Sequence, residues 1–385
     1  MTTVKLALYR LAFAVCALVL AAACDDESPL PHDTRVEAGL QQVLDQAVAK
    51  PDVFLPGAIA YYRRPGHAPW SGSAGLGDLQ TGSAIRQDSR IRAGSIMKTL
   101  VAAVVMQHVE QGTLSLDQTL PELLPASVTD LVANADRITL RMLLNHTSGI
   151  PEWVTPQVHV DTATDPAYVW TNERAIQIAT EQGSWFEPGT SWAYSNTNYT
   201  LIGMVLDRVG GTSWRAQVRA RVLVPLGLTS TELPEPGDRT VTGEYAHGYQ
   251  LVDGAPFDLA YVDPSMAGAA GGMAMVTTVR DLATFLDALL AGRLFARPET
   301  LVEMTTMVEA PNETGLPHWY GLGLEIYELG GTTVIGNSGG APGYATMMFR
   351  IPARATTLVT AVNTSDLFTN ALSVFSPSVD VITAR

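Results

Sequence analysis

Apolar residues first recur at helical spacing from Val36, with Leu40, Val43, Leu44 and Ala47 on the same face. Thr34-Arg35-Val36-Glu37 has the form of a capping box, and Pro51 closes the run, so a helix is expected between them. Ala58 to Arg63 and Ser73 to Leu76 read as short strands, with Pro65-Gly66 in the turn. Met97 to Gln111 is apolar on nearly every side, which predicts a buried central helix stopped at Gly112.

From about residue 116 to 274 the pattern is helical pieces between Pro and Gly loops: Thr139–Leu144, Ala175–Glu181, Thr197–Val209 and Trp214–Val222. Thr278 then caps an amphipathic helix with Leu282, Phe285, Leu286 and Leu289 on one face. The period changes near the end. Leu322, Leu324 and Ile326 alternate with Gly321, Gly323 and Glu325, and Gly330-Gly331 predicts a hairpin into Thr332–Ile335. Tyr344–Ile351 and Thr356–Val362, joined through Pro352, complete an antiparallel meander.

Pairing the early strands with this meander gives an α+β fold, an antiparallel sheet flanked by helices beside an all-helical lobe. The expected division is an α/β lobe from residues 35–115 and 275–385, a mostly helical lobe over 116–274, and a site in the cleft between them.

Composition narrows the class. The chain of 385 residues is 46% apolar and 16% charged, enough for a sizeable core. Its net charge of −14 and the lack of any basic stripe argue against a nucleic-acid partner. Both cysteines, Cys16 and Cys24, lie near the N-terminus, so the body holds no internal disulfide. The seven histidines are scattered with no H-E-x-x-H, and no metal or other cofactor is expected.

The N-terminus reads as an export signal over residues 1–23. Lys5 and Arg10 precede the apolar stretch Leu11–Ala23, too short for an ordinary membrane span. Ala21-Ala22-Ala23-Cys24 resembles a bacterial lipobox. That favours lipidation of Cys24 and a membrane-surface protein, periplasmic or at the cell surface, over plain cleavage after Ala23. Residues 24–34 then form a polar tether, and the mature charge becomes −16.

Lysine is scarce: only Lys5, Lys50 and Lys98 occur in an arginine-rich chain. A lysine is irreplaceable where an amine must lose its proton. Ser95-Ile96-Met97-Lys98 opens the buried helix, and the i, i+3 spacing sets the alcohol and the amine on one face. A serine hydroxyl is a weak nucleophile until a base takes its proton, and a desolvated lysine can be that base. The bland alternative is an N-cap serine and a snorkelling surface lysine. The run Thr99 to Met106 offers Lys98 no polar face and weakens that alternative. Tyr194-Ser195-Asn196 follows Pro188-Gly189 and precedes a helical run, where Ser195 or Asn196 is expected to cap. His146 and His247 read as polar packing or loop residues.

These elements resemble the active-site serine penicillin-recognising hydrolases. Ser95-x-x-Lys98, Tyr194-x-Asn196 and Gly336-Asn337-Ser338-Gly339-Gly340 stand in the family's order, closest to its class C β-lactamase, D-alanyl-D-alanine carboxypeptidase and esterase branch. Leu143 to Ile150 and Gly271-Gly272-Met273 add to the likeness, which spans roughly residues 35–365.

The resemblance implies the β-lactamase/transpeptidase-like fold and a serine hydrolase that forms an acyl-enzyme on amide or ester bonds. Ser95 would be the nucleophile, Lys98 its proton acceptor and Tyr194 a general acid or base. Asn196, Asn337 and Ser338 would bind substrate, and the Ser95 and Gly340 N–H groups would form the oxyanion hole. The expected partner is a small-molecule or peptide substrate: a cell-wall peptide, a β-lactam or an ester. One departure matters. The family usually has Lys or His where this chain has Asn337, so charge assistance to a substrate carboxylate is missing. That favours esters or amides without a carboxylate.

Gly336 to Gly340 also matches G-x-S-x-G, the nucleophile elbow of α/β-hydrolases, but that fold places its acid and histidine after the serine and the last histidine here is His318. The rival from another class is a penicillin-binding sensor or scaffold that is acylated without turnover. A proton-transferring Tyr194 argues against it.

Overall fold

The computed structural model describes residues 30–312, 315–365 and 367–384. The expected signal, the Cys24 lipidation position and most of the tether lie outside these residues. Early and late strands do join in one sheet of nine strands. Its strands are β1 (Gly57–Arg63), β2 (Trp70–Asp78), β3 (Ser83–Ala84), β8 (Val308–Glu309), β9 (His318–Tyr320), β10 (Glu325–Leu329), β11 (Thr332–Ala341), β12 (Tyr344–Ile351) and β13 (Thr356–Val362). Between them fall two short pairs, β4 (Ile91–Arg92) with β7 (Val276–Thr277), and β5 (Tyr249–Val252) with β6 (Ala255–Asp258).

The sheet runs β3-β2-β1-β13-β12-β11-β10-β9-β8 and its paired strands are antiparallel. β1 closes on β13 in the register Ala58↔Val362, which brings the two ends of the chain together around everything inserted between them. The α+β expectation therefore holds.

One face of the sheet is covered by the helices Thr34–Val48 and Leu372–Thr383. The other carries Val279–Leu290 and the core around Met97–Glu110, which continues without a break into the helices of the middle segment. Met97–Glu110 is buried from Met97 through His108, as its all-round apolar sequence requires.

Three local readings change. The first helix is capped by Asp33, whose side chain accepts from the Val36 N–H, and not by Thr34. Gly321 to Leu324 is a tight turn between β9 and β10, with Gly321 N–H donating to the Leu324 carbonyl at 2.8 Å. Leu322 and Leu324 alternate because both bury into the core against the central helix, at a Gly323 with φ of 77° where a Cβ would lie 2.6 Å from Ala102 Cβ. Ser195 stands at the cap position of the helix Asn196–Gly210, yet its side chain makes no cap bond.

No described helix is long and apolar enough to cross a membrane.

Candidate active site

The central helix begins in an unusual way. Gly94–Ile96 forms a tight 3-10 turn that leads into Met97–Glu110, and Gly94 has φ of 58°. A Cβ there would lie 2.4 Å from the Gly340 carbonyl oxygen, and one on Gly339 would lie 2.0 Å from the Ala93 carbonyl oxygen. A Cβ on Gly271 would lie 2.9 Å from Ser95 Cα. Glycines at these places let β11, the helix start and the 266–273 loop converge on Ser95. Gly340 and Ser95 thus lie on adjoining backbone, where two N–H groups can serve one oxyanion.

Ser95 caps nothing. Its Oγ accepts from the Tyr194 hydroxyl at 2.6 Å and lies 2.9 Å from Lys98 Nζ. Lys98 is fully buried, which removes the snorkelling alternative. Its Nζ also donates to Asn196 Oδ1 at 2.7 Å and to the Ala270 carbonyl at 2.5 Å, and stands 4.7 Å over the Tyr194 ring. Burial lowers its pKa from 10.5 to about 7, against the charges of Glu152 and Glu325, which raise it.

Two of the amine's neighbours, an amide oxygen and a carbonyl, can only accept. A neutral amine has two N–H groups and one lone pair. With its N–H groups held by Asn196 and Ala270, the neutral amine would turn its lone pair to the Ser95 hydroxyl. That is the arrangement a base needs.

The Ala270 carbonyl is presented by a strained loop. Ala267, Gly268, Gly271 and Gly272 all have positive φ, and Ala267 is not a glycine. Desolvation drives the Tyr194 pKa well above 10, although its bond to Ser95 opposes this, so its hydroxyl keeps its proton and donates a hydrogen bond to Ser95 Oγ.

Exposure sorts the expected site residues. Ser95, Tyr194, Asn196 and Gly340 are half-buried, whereas Lys98, bonded to two of them, is fully buried. Asn337 is a correction. It is 1% exposed, and its Nδ2 donates to Thr99 Oγ1 at 2.8 Å and the Gly323 carbonyl at 3.1 Å. It fastens β11 to the central helix and presents nothing to a substrate carboxylate. Ser338 is also turned inward: its hydroxyl and N–H both go to Glu325 Oε2, at 2.8 and 3.0 Å.

Two acids at the site carried no signal in the sequence. Glu152 Oε2 accepts from both the backbone N–H and the side-chain amide of Asn196, at 2.8 and 2.9 Å. Glu325 on β10 is buried, and burial raises its pKa to about 7. Neither stands in a motif with the serine, and only the fold brings them to it.

His146 packs under Tyr194 at 4.5 Å between ring centroids, and its Nδ1 accepts from Ser195 N–H. Burial holds its pKa well below 6.5, so it is a neutral packing residue. His247 pairs with Asp258 at 2.7 Å. Among the described residues no cluster of His, Cys, Asp and Glu could hold a metal ion.

An alcohol held between a buried amine and a phenol at a helix start defines the acyl-enzyme class of serine hydrolases. Residues 40–372 match the Beta-lactamase family model, and the chain belongs to that family. It is 28% identical to esterase EstB of Burkholderia gladioli over 73% of this chain and 77% of that protein. It is 25% identical to a D-aminopeptidase of Cereibacter sphaeroides over 83% of this chain, though it spans only 59% of that longer protein.

Among solved structures, a D-stereospecific amidohydrolase from Streptomyces sp. superposes with a TM-score of 0.78 at 32% identity, covering 90% of this chain and 98% of that one. The D-amino acid amidase of Ochrobactrum anthropi SV3 gives 0.78 at 25% identity with the same coverage.

Proposed function

We propose that this serine hydrolase cleaves amides or esters of substrates that carry no free carboxylate, with Ser95 as nucleophile, Lys98 as its base and Tyr194 as the acid for the leaving group. The observation that carries the reading is the continuous contact Tyr194–Ser95–Lys98 around a fully buried amine.

Ser95 Oγ attacks the acyl carbon, and its proton passes to the Lys98 lone pair. The oxyanion is received by the Ser95 and Gly340 N–H groups, each such donor being worth on the order of 3 kcal/mol. Tyr194 gives its proton to the departing amine or alcohol and recovers one from the Lys98 ammonium. Water then attacks the acyl-enzyme, its proton returns through the same groups, and Ser95 leaves as the alcohol.

Charge supports the substrate class. Asn337 is a neutral amide, buried and bonded to Thr99 and the Gly323 carbonyl. A substrate carboxylate would find no cation there to assist its binding, an assistance that a neutral or amine-bearing substrate does not need. The relatives named as an esterase, a D-aminopeptidase and a D-amino acid amidase fit that preference. A sensor that is acylated without turnover is less well supported, because Tyr194 is already bonded to the nucleophile.

The test is a panel of p-nitrophenyl esters, a D-aminoacyl p-nitroanilide, a chromogenic cephalosporin and a D-Ala-D-Ala tripeptide. Faster turnover of the first two is expected. Preferred cleavage of the tripeptide, or phosphonate labelling away from Ser95, overturns the reading.

Export and lipid anchoring through Cys24 belong to the same proposal, on the strength of the N-terminal sequence. Incorporation of labelled palmitate that is lost in Cys24→Ser is the expected result, and equal labelling of both forms is the contrary one.

A further inference from the structure

The hydroxyls of Thr139, Thr155, Thr171, Ser213 and Thr278 cap the helices that follow them. The helix Asn196–Gly210 is started differently. Its first N–H is taken by the Glu152 carboxylate, which comes from a separate segment of the chain. That segment is stapled to the helix start by further bonds, because the Pro151 carbonyl accepts from Ser195 Oγ at 2.9 Å and Thr197 Oγ1 at 2.6 Å. Glu152 Oε1 accepts from Val154 N–H at 2.7 Å, which fixes the carboxylate in turn.

An amide side chain can present either its oxygen or its NH2 group in a given direction. A carboxylate settles the choice for Asn196. Burial raises the Glu152 pKa, but the N–H groups of Asn196 and Val154 favour the carboxylate, which can only accept, so the NH2 group faces it and Oδ1 is turned toward Lys98. Were the amide reversed, its NH2 group would point at the Lys98 amine. The amine's lone pair would then be drawn to Asn196 and away from Ser95.

We propose that Glu152 is a positioning residue that, through the Asn196 amide, aims the Lys98 lone pair at Ser95. The proposal rests on the reading of Lys98 as the base and adds to it the group that sets its direction. Glu152 touches no reacting atom, and its effect travels through one side chain.

Its charge has a second consequence. Glu152 favours the Lys98 ammonium, so it raises the pH at which the base becomes available. The other groups around Lys98 are Glu325 on β10, which acts in the same sense, His146, which is neutral, and the protonated phenols Tyr194 and Tyr199.

The test uses the full chain with Glu152→Gln and Glu152→Leu, read as kcat/KM on a p-nitrophenyl ester between about pH 5.5 and 9. Glu152→Gln keeps an oxygen acceptor for Asn196, removes the charge and gives up the bond from Val154 N–H. Its acid limb is expected to move down by about half a pH unit or more, with the plateau within about threefold of the parent. Glu152→Leu removes the acceptor, and its plateau is expected to fall about 10–100-fold. Combined with Asn196→Ala, it should cost less than about twofold beyond Asn196→Ala alone, because both act through one amide.

An unmoved acid limb in Glu152→Gln overturns the proposal, as does full additivity of Glu152→Leu with Asn196→Ala. Either would leave Glu152 a structural cap that affects only melting. If Glu152→Leu does not fold, the Glu152→Gln profile decides. A parent protein that is inactive and unlabelled at Ser95 overturns the base assignment itself, and this proposal with it.

Discussion

The helices at the cleft and the helices away from it begin with similar residues and use them in opposite ways. Away from the cleft, Thr139, Thr155, Thr171, Ser213 and Thr278 hold orphan N–H groups with their hydroxyls, as a residue before a helix usually does. At the cleft, Ser95 bonds Lys98 and Tyr194, and Ser195 donates to the Pro151 carbonyl. A 3-10 turn at Gly94–Ile96 replaces the cap in one case and the Glu152 carboxylate replaces it in the other. A hydroxyl at a helix start becomes available for chemistry only where the surrounding fold relieves it of capping.

The strongest test of that contrast is Lys98→Arg. A guanidinium keeps the charge but has no accessible neutral form, so turnover is expected to fall about 10⁴-fold with Ser95 and its surroundings still in place. Substantial residual hydrolysis of a p-nitrophenyl ester would show that Ser95 does not depend on an amine. Tyr194→Phe comes next, with an expected loss of about 10²–10³ from the missing proton donor. If the acid role is correct, the loss shrinks with a leaving group such as p-nitrophenolate, which needs little protonation.

pH gives a smaller effect with a definite sign. Lys98 is active as the neutral amine, and its pKa is lowered to about 7 by burial. Activity should therefore be nearly full above about pH 8 and fall about tenfold per unit well below 7. A flat profile between pH 5 and 8 would contradict the assignment.

The mildest effect separates the two kinds of helix start. Thr278→Ala should cost about 1 kcal/mol of stability in urea unfolding and little activity. Ser95→Ala should abolish turnover and, having no cap to lose, cost less stability than Thr278→Ala. The reverse ranking of the two unfolding midpoints would return Ser95 to the capping residues.

The resemblance carried by Ser95, Lys98, Tyr194 and Asn196 located four groups that do meet, because each lies in a short, ordered motif. Asn337 departs from that pattern. Its place in the third motif suggested the cleft, whereas its amide is held by Thr99 and Gly323. The Gly321–Leu324 alternation matches a strand and a turn equally well, since both can bury every second residue. Only the positive φ of Gly323 and its packing on Ala102 separate them.

By itself the chain determined its periodicities, its hidden central helix and the pairing of an alcohol with an amine three residues on. Those are properties of neighbours along the backbone, where spacing dictates which side chains share a face. Tertiary structure alone decided that Glu152 and Glu325 stand around that amine, that the Ala270 carbonyl meets it, and which way the Asn196 amide faces. These contacts join segments far apart in sequence. Burial makes them matter, because charge and hydrogen-bond direction count for far more where water is excluded.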